Sequence, residues 1–395
     1  MVSTDLSNTT GGSKQNAEST NHLLKTNAIV TAAERIETYL SFLKAKRVAI
    51  VANQTSLVND VHLTDTLLNL GINVVKVFAP EHGFRGDADA GKYVQNGKDL
   101  KSGLPVISLY GKNKKPSVSD LSDVDVVVFD IQDVGARFYT YISTMHYVME
   151  ACAEQGKWMV VLDRPNPNGH YVDGVVLKEE FASFVGMHPI PIVHGLTVGE
   201  LAQMINGEGW LKNGVKCSLN VVPCSGYSHR TFYELPVKPS PNLPNSRAVY
   251  LYPSLCLFEG TQVSVGRGTD KQFQVIGSPK HNYPFTFTPE SKPGATQPLF
   301  ENTTCKGFDL SDLPLEELRR LRHIDLSWLI KLYRDYPAKS EFFIPFFDKL
   351  AGSAELQKQI KAGWTEEQIR MSWQTDLDIY KKKRKKYLLY EDMED

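Results

Sequence analysis

The feature that most constrains the fold is a regular alternation of short apolar runs with helical patterns in the N-terminal half of the chain. The clearest run, Asp125–Asp130 (DVVVFD), is rich in valine, which is typical of a parallel strand covered on both faces. Further strand patterns lie at Arg47–Ala52, Val74–Phe78, Val106–Leu109 and Trp158–Leu162. Helical patterns lie between them, at Ala32–Leu43, Leu63–Leu70, Phe138–Gln155 and Leu196–Ile205. This alternation predicts an α/β fold with a right-handed, doubly wound parallel sheet.

The loop after the first strand limits what this sheet can bind. It reads VANQTS, and no G-x-G-x-x-G follows the strand. The glycines of that motif let a backbone approach a pyrophosphate closely. We therefore expect no classical dinucleotide site, despite the predicted topology.

A chain of 395 residues is expected to form about two domains. Residues 1–27 are polar and rich in Ser, Thr and Asn, and we interpret them as a disordered leader. Residues 28–232 are predicted to form the first domain, and residues 233–395 a smaller, mixed α+β domain. Prolines accumulate between Pro236 and Pro253, which argues against a regular helix and predicts a crossing or lid segment. Leu255–Val265 has strand character, and helical patterns follow towards the C-terminus.

Composition excludes several classes of partner. The net charge of −1 gives no basis for nucleic acid or an anionic membrane as the partner, and KKKRKK (Lys381–Lys386) reads as the solvated end of a helix. No run approaches the 18 apolar residues of a membrane span. The five cysteines form no CxxC pair, so neither zinc nor a disulfide framework is predicted, and Cys152 and Cys256 are expected to be buried. We expect a periplasmic or secreted protein if a signal segment has been removed, and a cytoplasmic one otherwise; oligomeric state is not predicted.

Polar residues cluster where the predicted strands end. The most informative stretch is Val77–Gly91 (VFAPEHGFRGDADAG), in which an apolar strand empties into charged and glycine-rich sequence. In open α/β sheets, ligands bind beyond the carboxyl ends of the strands. The five clusters are Asn53–Ser56, Glu81–Asp89, Asp130–Arg137, Asp163–Asn166 and Glu259–Asp270. We expect the first four to share one sheet edge and the fifth to close over them from the second domain.

Glycoside hydrolysis is one chemistry that these residues fit. It requires a protonated carboxyl group that gives its proton to the leaving oxygen, and a second group that acts as nucleophile or base. A glutamate at a strand end, desolvated by a covering domain, is suited to proton donation because burial raises the pKa of a carboxyl group. Glu81 is our candidate for this general acid, and His82 is a candidate for orienting either Glu81 or the sugar.

Several other side chains are candidates for binding a substrate. Four arginines exceed the needs of a neutral sugar and indicate an anionic substituent, because guanidinium groups pair with carboxylates and phosphates; they are Arg85, Arg137, Arg164 and Arg267. Aromatic candidates for stacking on a sugar face are Tyr110, Phe138, Tyr139 and Tyr141. Further polar candidates at the strand ends are Asn53, Gln54, Asp133 and Asp163.

Two other functions fit the same residues. A metal-dependent phosphoesterase would use carboxylates and histidine after strands, here Glu81, His82, Asp87, Asp89 and Asp130. No spacing matches an established metal motif such as H-E-x-x-H. The third alternative is a sugar-binding protein without catalytic activity, and the residues alone leave all three open.

Five blocks carry a resemblance to a known family. They occur in the order NQTS, APEHGFRGDADAG, FDIQDVGARFYTYISTM, LDRPNP and YPSLCLFEGTQVSVGRGTD. The chain resembles the exo-β-N-acetylmuramidases, long catalogued only as a bacterial domain of unknown function, from about residue 28 to the C-terminus.

The resemblance implies a Rossmann-like N-terminal domain, a smaller C-terminal domain and an active site between them. It also implies release of terminal N-acetylmuramic acid from the non-reducing end of peptidoglycan fragments, without a cofactor or metal. Glu81 falls on the family's catalytic glutamate. The lactyl carboxylate of the substrate would account for the arginines, with Arg267 or Arg137 as its partner. For the second catalytic group, Glu259 and Asp130 are the carboxylate candidates, beside a tyrosine or the substrate's own acetamido group.

Overall fold

In a computed structural model of the protein, residues 28–84 and 97–393 are described. A seven-stranded sheet forms the centre of the N-terminal part. Its strands are β1 (Val48–Ala52), β2 (Val74–Ala79), β3 (Gly97–Lys98), β4 (Pro105–Ser108), β5 (Val126–Asp130), β6 (Trp158–Leu162) and β7 (Ser218–Val222). β1 and β5 are buried along their whole length, as their apolar sequences predict for parallel strands covered on both faces.

The strand order is β3-β4-β2-β1-β5-β6-β7. All neighbours pair in parallel except the edge pair of β3 and β4, which is antiparallel. The order reverses between β1 and β5, which creates the crevice where doubly wound sheets bind ligands. The predicted α/β class and doubly wound sheet are therefore confirmed.

Five α-helices accompany this sheet. They are α1 (Leu40–Leu43), α2 (Leu63–Asn69), α3 (Val118–Leu121), α4 (Tyr141–Glu154) and α5 (Val198–Gly207). The Thr197 hydroxyl caps α5 by accepting a hydrogen bond from the backbone of Glu200, which confirms the capping box predicted there. The helix expected over Ala32–Leu43 is wrong for most of its length, because two short 3-10 turns precede the single α-helical turn of α1.

The C-terminal part adds a small sheet and seven helices. The sheet is antiparallel, with strands β8 (Val275–Ser278), β9 (Phe285–Phe287) and β10 (Cys305–Asp309) in the order β8-β10-β9. The helices are α6 (Ser246–Leu255), α7 (Leu315–Arg320), α8 (Ser327–Asp335), α9 (Lys339–Phe342), α10 (Phe346–Ala351), α11 (Glu355–Lys361) and α12 (Glu366–Arg384).

Helix α6 contradicts two expectations from the sequence. The proline-rich segment does contain a regular helix, with Pro253 inside it, and the strand expected over Leu255–Val265 begins as a 3-10 helix at Cys256–Gly260. Proline leaves the carbonyl four residues before it without its helical donor. Here the Asn168 side chain donates to that carbonyl, on Val249, over 3.2 Å. A partner distant in sequence thus satisfies the group that proline orphans.

The last helix fastens the two parts together. Arg384 is buried and donates through Nε and Nη2 to the carbonyl of Gly195, at 2.9 and 2.7 Å. The Tyr380 hydroxyl donates to the neighbouring carbonyl of His194 at 2.6 Å. The expectation that the basic run Lys381–Lys386 is simply solvated is therefore wrong at Arg384. Cys152 and Cys256 are buried, as predicted. Across the described residues, no helix combines the length and the apolar character needed to cross a membrane.

Candidate active site

Glu81 lies in a tight turn directly after β2. Gly83 N donates to the carbonyl of Pro80 at 3.0 Å, which closes the turn. His82 and Gly83 both have positive φ, at 69° and 80°. A positive φ is unfavourable for histidine, and such conformations cluster at functional sites. The turn presents the Glu81 side chain half-buried at the carboxyl edge of the sheet.

The start of α4 fixes the carboxyl group of Glu81. The Thr140 hydroxyl donates to Glu81 Oε2 at 2.7 Å. Tyr110 follows β4 on the other side; burial, and then the neighbouring Glu81 charge and a hydrogen bond to it, raise the pKa of the Tyr110 phenol. Tyr110 therefore stays protonated at neutral pH and is a donor. Two elements thus hold one carboxyl group in a defined orientation.

A pocket of about 240 Å³ encloses this carboxyl group. Its polar members include Glu81, His82, Thr140, Glu259 and Arg267. Most of its walls are aromatic: Tyr110, Phe138, Tyr139, Tyr141, Phe184, Tyr252, Phe273 and Phe346. Aromatic faces with a few convergent polar groups are typical of small-molecule sites and suit the apolar face of a sugar ring.

The second domain contributes an ion pair to this pocket. Arg267 Nε lies 2.5 Å from Glu259 Oε1, and both side chains are 25% exposed. Burial opposes the charge of Arg267, but the charge of Glu259 and the hydrogen bond to it outweigh burial and raise the arginine's pKa. The guanidinium also lies over the Phe273 ring, 5.1 Å from its centroid. Glu259 holds Nε, and no hydrogen bond joins the terminal nitrogens of Arg267 to another side chain or carbonyl in the described part of the chain.

Burial shapes the chemistry of the tyrosines in the walls. It raises the pKa of Tyr139 and Tyr252 well above the ordinary value, and it raises that of Tyr141 as well. The Tyr139 hydroxyl donates to the carbonyl of Pro239 at 2.8 Å. These phenols are therefore protonated donors and supports, which disfavours a tyrosinate nucleophile.

The structure brings together only part of the predicted site. Of the sequence candidates, those that line the pocket are Glu81, His82, Tyr110, Phe138, Tyr139, Tyr141, Glu259 and Arg267. Arg85, Asp87 and Asp89 lie outside the described residues.

Asp130 and Arg164 satisfy one another. Asp130 is fully buried, and it accepts from Arg164 Nε at 2.6 Å and from Nη2 at 2.9 Å. This bidentate pair lies beneath the sheet edge and does not line the pocket. Neither side chain is offered to a substrate there, so we do not carry Asp130 forward as a catalytic group or Arg164 as a binding group.

Arg137 is a clamp between the two domains. Its guanidinium is completely buried and donates to the carbonyls of Val175, Ile190, Leu350 and Ala351 at 2.6 to 2.9 Å. Burial lowers the pKa of Arg137 to about 9. Because these carbonyls occupy its terminal nitrogens, Arg137 does not serve as the partner of a substrate carboxylate.

The remaining polar candidates support the backbone. Asp163 accepts from Thr197 Oγ1 and Gly199 N at the start of α5, both at 2.7 Å. Asp133 Oδ2 accepts from Gly135 N at 2.7 Å, and Asn53 Oδ1 accepts from the hydroxyl of Thr55 at 2.6 Å. The Gln54 amide donates to the carbonyls of Lys238 and Pro239, at 3.2 and 3.1 Å, and so holds the proline-rich segment over the sheet edge.

Sequence reasoning missed several wall residues. Tyr252 and Phe273 are brought in by α6 and by the loop before β8, while Phe184 and Phe346 come from segments without a motif. Only Tyr252 had an available signal, because it opens the YPSLCLFEGTQ block. Thr140 also stood within a quoted block, but nothing in the sequence indicated that its hydroxyl meets Glu81.

Comparisons with known proteins agree with this arrangement. Sequence models described as the N-terminal and C-terminal domains of exo-β-N-acetylmuramidase NamZ match residues 48–247 and 250–390. The chain belongs to the NamZ exo-β-N-acetylmuramidase family. This confirms the resemblance drawn from the five sequence blocks, and it does not favour the phosphoesterase or the non-catalytic alternative.

Similar proteins span nearly the whole chain. The peptidoglycan β-N-acetylmuramidase NamZ of Bacillus subtilis (strain 168) is 40% identical over 372 residues, 89% of each chain. Two crystal structures of DUF1343 family proteins from Bacteroides fragilis NCTC 9343 share the fold. One has 47% identity and a TM-score of 0.87, the other 30% and 0.78, and each comparison covers 92% of this chain and 99% of the other.

Proposed function

We propose that this chain is an exo-acting glycoside hydrolase that releases terminal N-acetylmuramic acid from the non-reducing end of peptidoglycan fragments. The observation that carries the proposal is the meeting of Glu81 and the Glu259–Arg267 pair in one aromatic pocket of about 240 Å³. Membership of the NamZ family supports the reaction class. No cofactor enters the proposed mechanism.

Glu81 acts as the general acid in this proposal. Thr140 donates to Oε2 of the carboxyl group. This contact leaves Oε1 to carry the proton towards the glycosidic oxygen, so the leaving N-acetylglucosamine departs as a neutral alcohol. The half-buried setting between two domains keeps most water away from that proton transfer.

Arg267 recognises the lactyl carboxylate of the substrate in this proposal. Glu259 binds its Nε edge, so the terminal nitrogens are positioned to receive a carboxylate in a charge-assisted hydrogen bond. Glu259 then has two candidate roles: it positions Arg267, or it serves as the second catalytic group through its remaining oxygen. These roles predict different kinetics, because a positioning residue changes recognition of the lactyl group and a catalytic group changes turnover of every substrate.

The test follows the substrate's carboxylate. Wild-type protein, Arg267→Met and Glu259→Gln are assayed on 4-nitrophenyl β-glycosides of N-acetylmuramic acid and of N-acetylglucosamine, which lacks the lactyl ether. Arg334→Met, in an exposed arginine of α8, is the matched control. We expect Arg267→Met to reduce the preference for the muramic acid glycoside about 100-fold, which corresponds to about 2.7 kcal/mol.

The two substrates also decide between the roles of Glu259. A loss confined to the muramic acid glycoside assigns positioning of Arg267, and an equal loss of kcat on both glycosides assigns the second catalytic role. An unchanged preference in Arg267→Met contradicts recognition of the lactyl group by Arg267. If wild-type protein releases no N-acetylmuramic acid from any substrate that ends in it, the proposed reaction is wrong.

We also propose that the protein works outside the cytoplasmic membrane, because peptidoglycan lies there. Cell fractionation with a tagged full-length protein tests this location. Recovery with cytoplasmic markers would instead assign it to the salvage of imported fragments.

A further inference from the structure

A second cavity continues directly from the candidate active site. Its volume is about 680 Å³, and it shares Glu259 and Arg267 with the smaller pocket that holds Glu81. Its other walls come from residues 261–265, which follow the 3-10 helix after α6, and from the loop 294–299. We call this cavity the outer cleft. The Glu259–Arg267 pair therefore stands at the boundary between the two spaces.

The two spaces differ in size in a way that matters for a polymer substrate. Ligand pockets commonly measure about 300–1,000 Å³, so the inner pocket lies just below this range and the outer cleft well within it. The inner pocket has room for about one sugar ring, as removal of a single terminal residue requires. The larger outer cleft has room for the part of the chain that follows.

The lining of the outer cleft is uncharged apart from the boundary pair. Among the described residues that line it, Gln262, Ser264 and Gln297 supply amide and hydroxyl groups, and Val263 and Leu299 supply apolar surface. This mixture matches an uncharged sugar, which has hydroxyl and acetamido groups around an apolar ring face. It does not offer ionic partners to the carboxylates and amines of a peptide.

The outer cleft is built on a fixed frame. Asn242, which lines the inner pocket, donates through Nδ2 to the carbonyl of Gly294 at 2.8 Å. Gly294 has φ +87°, and a Cβ there would lie 2.5 Å from Cβ of Pro241. On the opposite wall, Gln262 N donates to the carbonyl of Phe342 at 2.9 Å. The same proline-rich segment thus shapes both spaces and fixes their relative position.

We infer that the outer cleft is the aglycone-binding site and that it selects an uncharged N-acetylhexosamine next to the bond that is cleaved. This inference rests on the proposed function, because it takes the inner pocket to hold the terminal muramic acid. Affinity for the following sugar would then come from Gln262, Gln297 and Leu299. A stem peptide on a later residue would remain outside the cleft.

The test compares a substrate with a sugar aglycone and one without. The substrates are N-acetylmuramic acid–β-1,4–N-acetylglucosamine and β-N-acetylmuramyl fluoride, whose leaving group occupies no aglycone site. The variant combines Gln262→Ala, Gln297→Ala and Leu299→Ala, and Gln374→Ala, on an exposed side chain of α12, is the matched control. We expect kcat/KM for the disaccharide to fall about tenfold, mainly through KM, and kcat/KM for the fluoride to change less than twofold.

Each other outcome has a distinct meaning. Equal changes with both substrates, or no change with either, overturn the assignment of the outer cleft. A loss seen only with a tetrasaccharide that carries a peptide on its internal muramic acid assigns the cleft to the peptide and overturns the selection of an uncharged sugar. If the wild-type protein hydrolyses neither substrate, the proposed function itself fails.

Discussion

The hydrogen bond between Thr140 and Glu81 gives a sharp prediction, because it links activity to one hydroxyl group. Thr140 occupies the N-cap position of α4, where a threonine hydroxyl ordinarily accepts from the helix backbone. Here no hydrogen bond from the helix reaches that side chain, and the hydroxyl donates to Glu81 Oε2 at 2.7 Å. Thr140→Val removes this bond and nearly preserves the shape of the side chain.

The expected loss of activity follows from the kind of bond removed. A hydrogen bond to a charged group contributes about 1.5–3 kcal/mol. If that energy holds Glu81 in its proton-donating orientation, its loss lowers kcat about 10- to 100-fold. The free energy of unfolding should change by less than about 0.5 kcal/mol, because the side chain makes no cap bond whose loss would weaken the helix.

The assay measures kcat on N-acetylmuramic acid–β-1,4–N-acetylglucosamine together with urea unfolding. Thr140→Ser, which keeps the hydroxyl, is the control and should stay within about threefold of the wild type. Full activity in Thr140→Val would refute the positioning role. A fall in activity accompanied by a large loss of stability would refute it too, because the hydroxyl would then be supporting the helix.

Two predictions concern residues behind the site. Arg137→Met should lower the free energy of unfolding by about 2–4 kcal/mol in urea titrations, because only the carbonyl of Ile190 keeps another donor, from Leu177 N, while relief of the buried charge offsets part of the loss; KM of the folded protein should not change, and a large rise in KM would contradict a purely structural role. Burial, and then Glu200, raise the pKa of Asp163 from 3.8 to about 6, so the native state holds its proton more tightly than the unfolded chain, and stability should fall by about 3 kcal/mol as pH rises from 4 through 6. The Tyr390 hydroxyl donates to Asp163 at 2.6 Å and lowers that pKa, so Tyr390→Phe should deepen the fall by about 1–2 kcal/mol, and an identical pH profile in both proteins would exclude this coupling.

The position of Glu81 could be predicted from the sequence, whereas the roles of the arginines could not. A buried strand that ends in Glu-His-Gly identifies the sheet edge, because strand burial and the polar residues after it are local properties. Arg137 and Arg267 look alike in sequence, since each lies in a glycine-containing loop. Their partners decide the difference: distant carbonyls surround Arg137, while Glu259 and the pocket surround Arg267.

The same limit explains the misread helix and the supporting carboxylates. Pro253 argued against a helix because the sequence does not show that Asn168 donates to the orphaned carbonyl of Val249. Asp130 and Asp163 follow strands as catalytic carboxylates do, yet Arg164 neutralises the first and the N-terminus of α5 takes the second. Long-range partners decided these roles, and only the fold reveals them.

The most direct test of the central claim compares Glu81→Gln with the wild type on two leaving groups. General-acid catalysis assists a sugar leaving group, which must depart with a proton, and does little for fluoride. We predict a loss of about 10²-fold or more on N-acetylmuramic acid–β-1,4–N-acetylglucosamine and a far smaller loss on β-N-acetylmuramyl fluoride. Equal losses on both substrates, or full activity on the disaccharide, would contradict Glu81 as the proton donor.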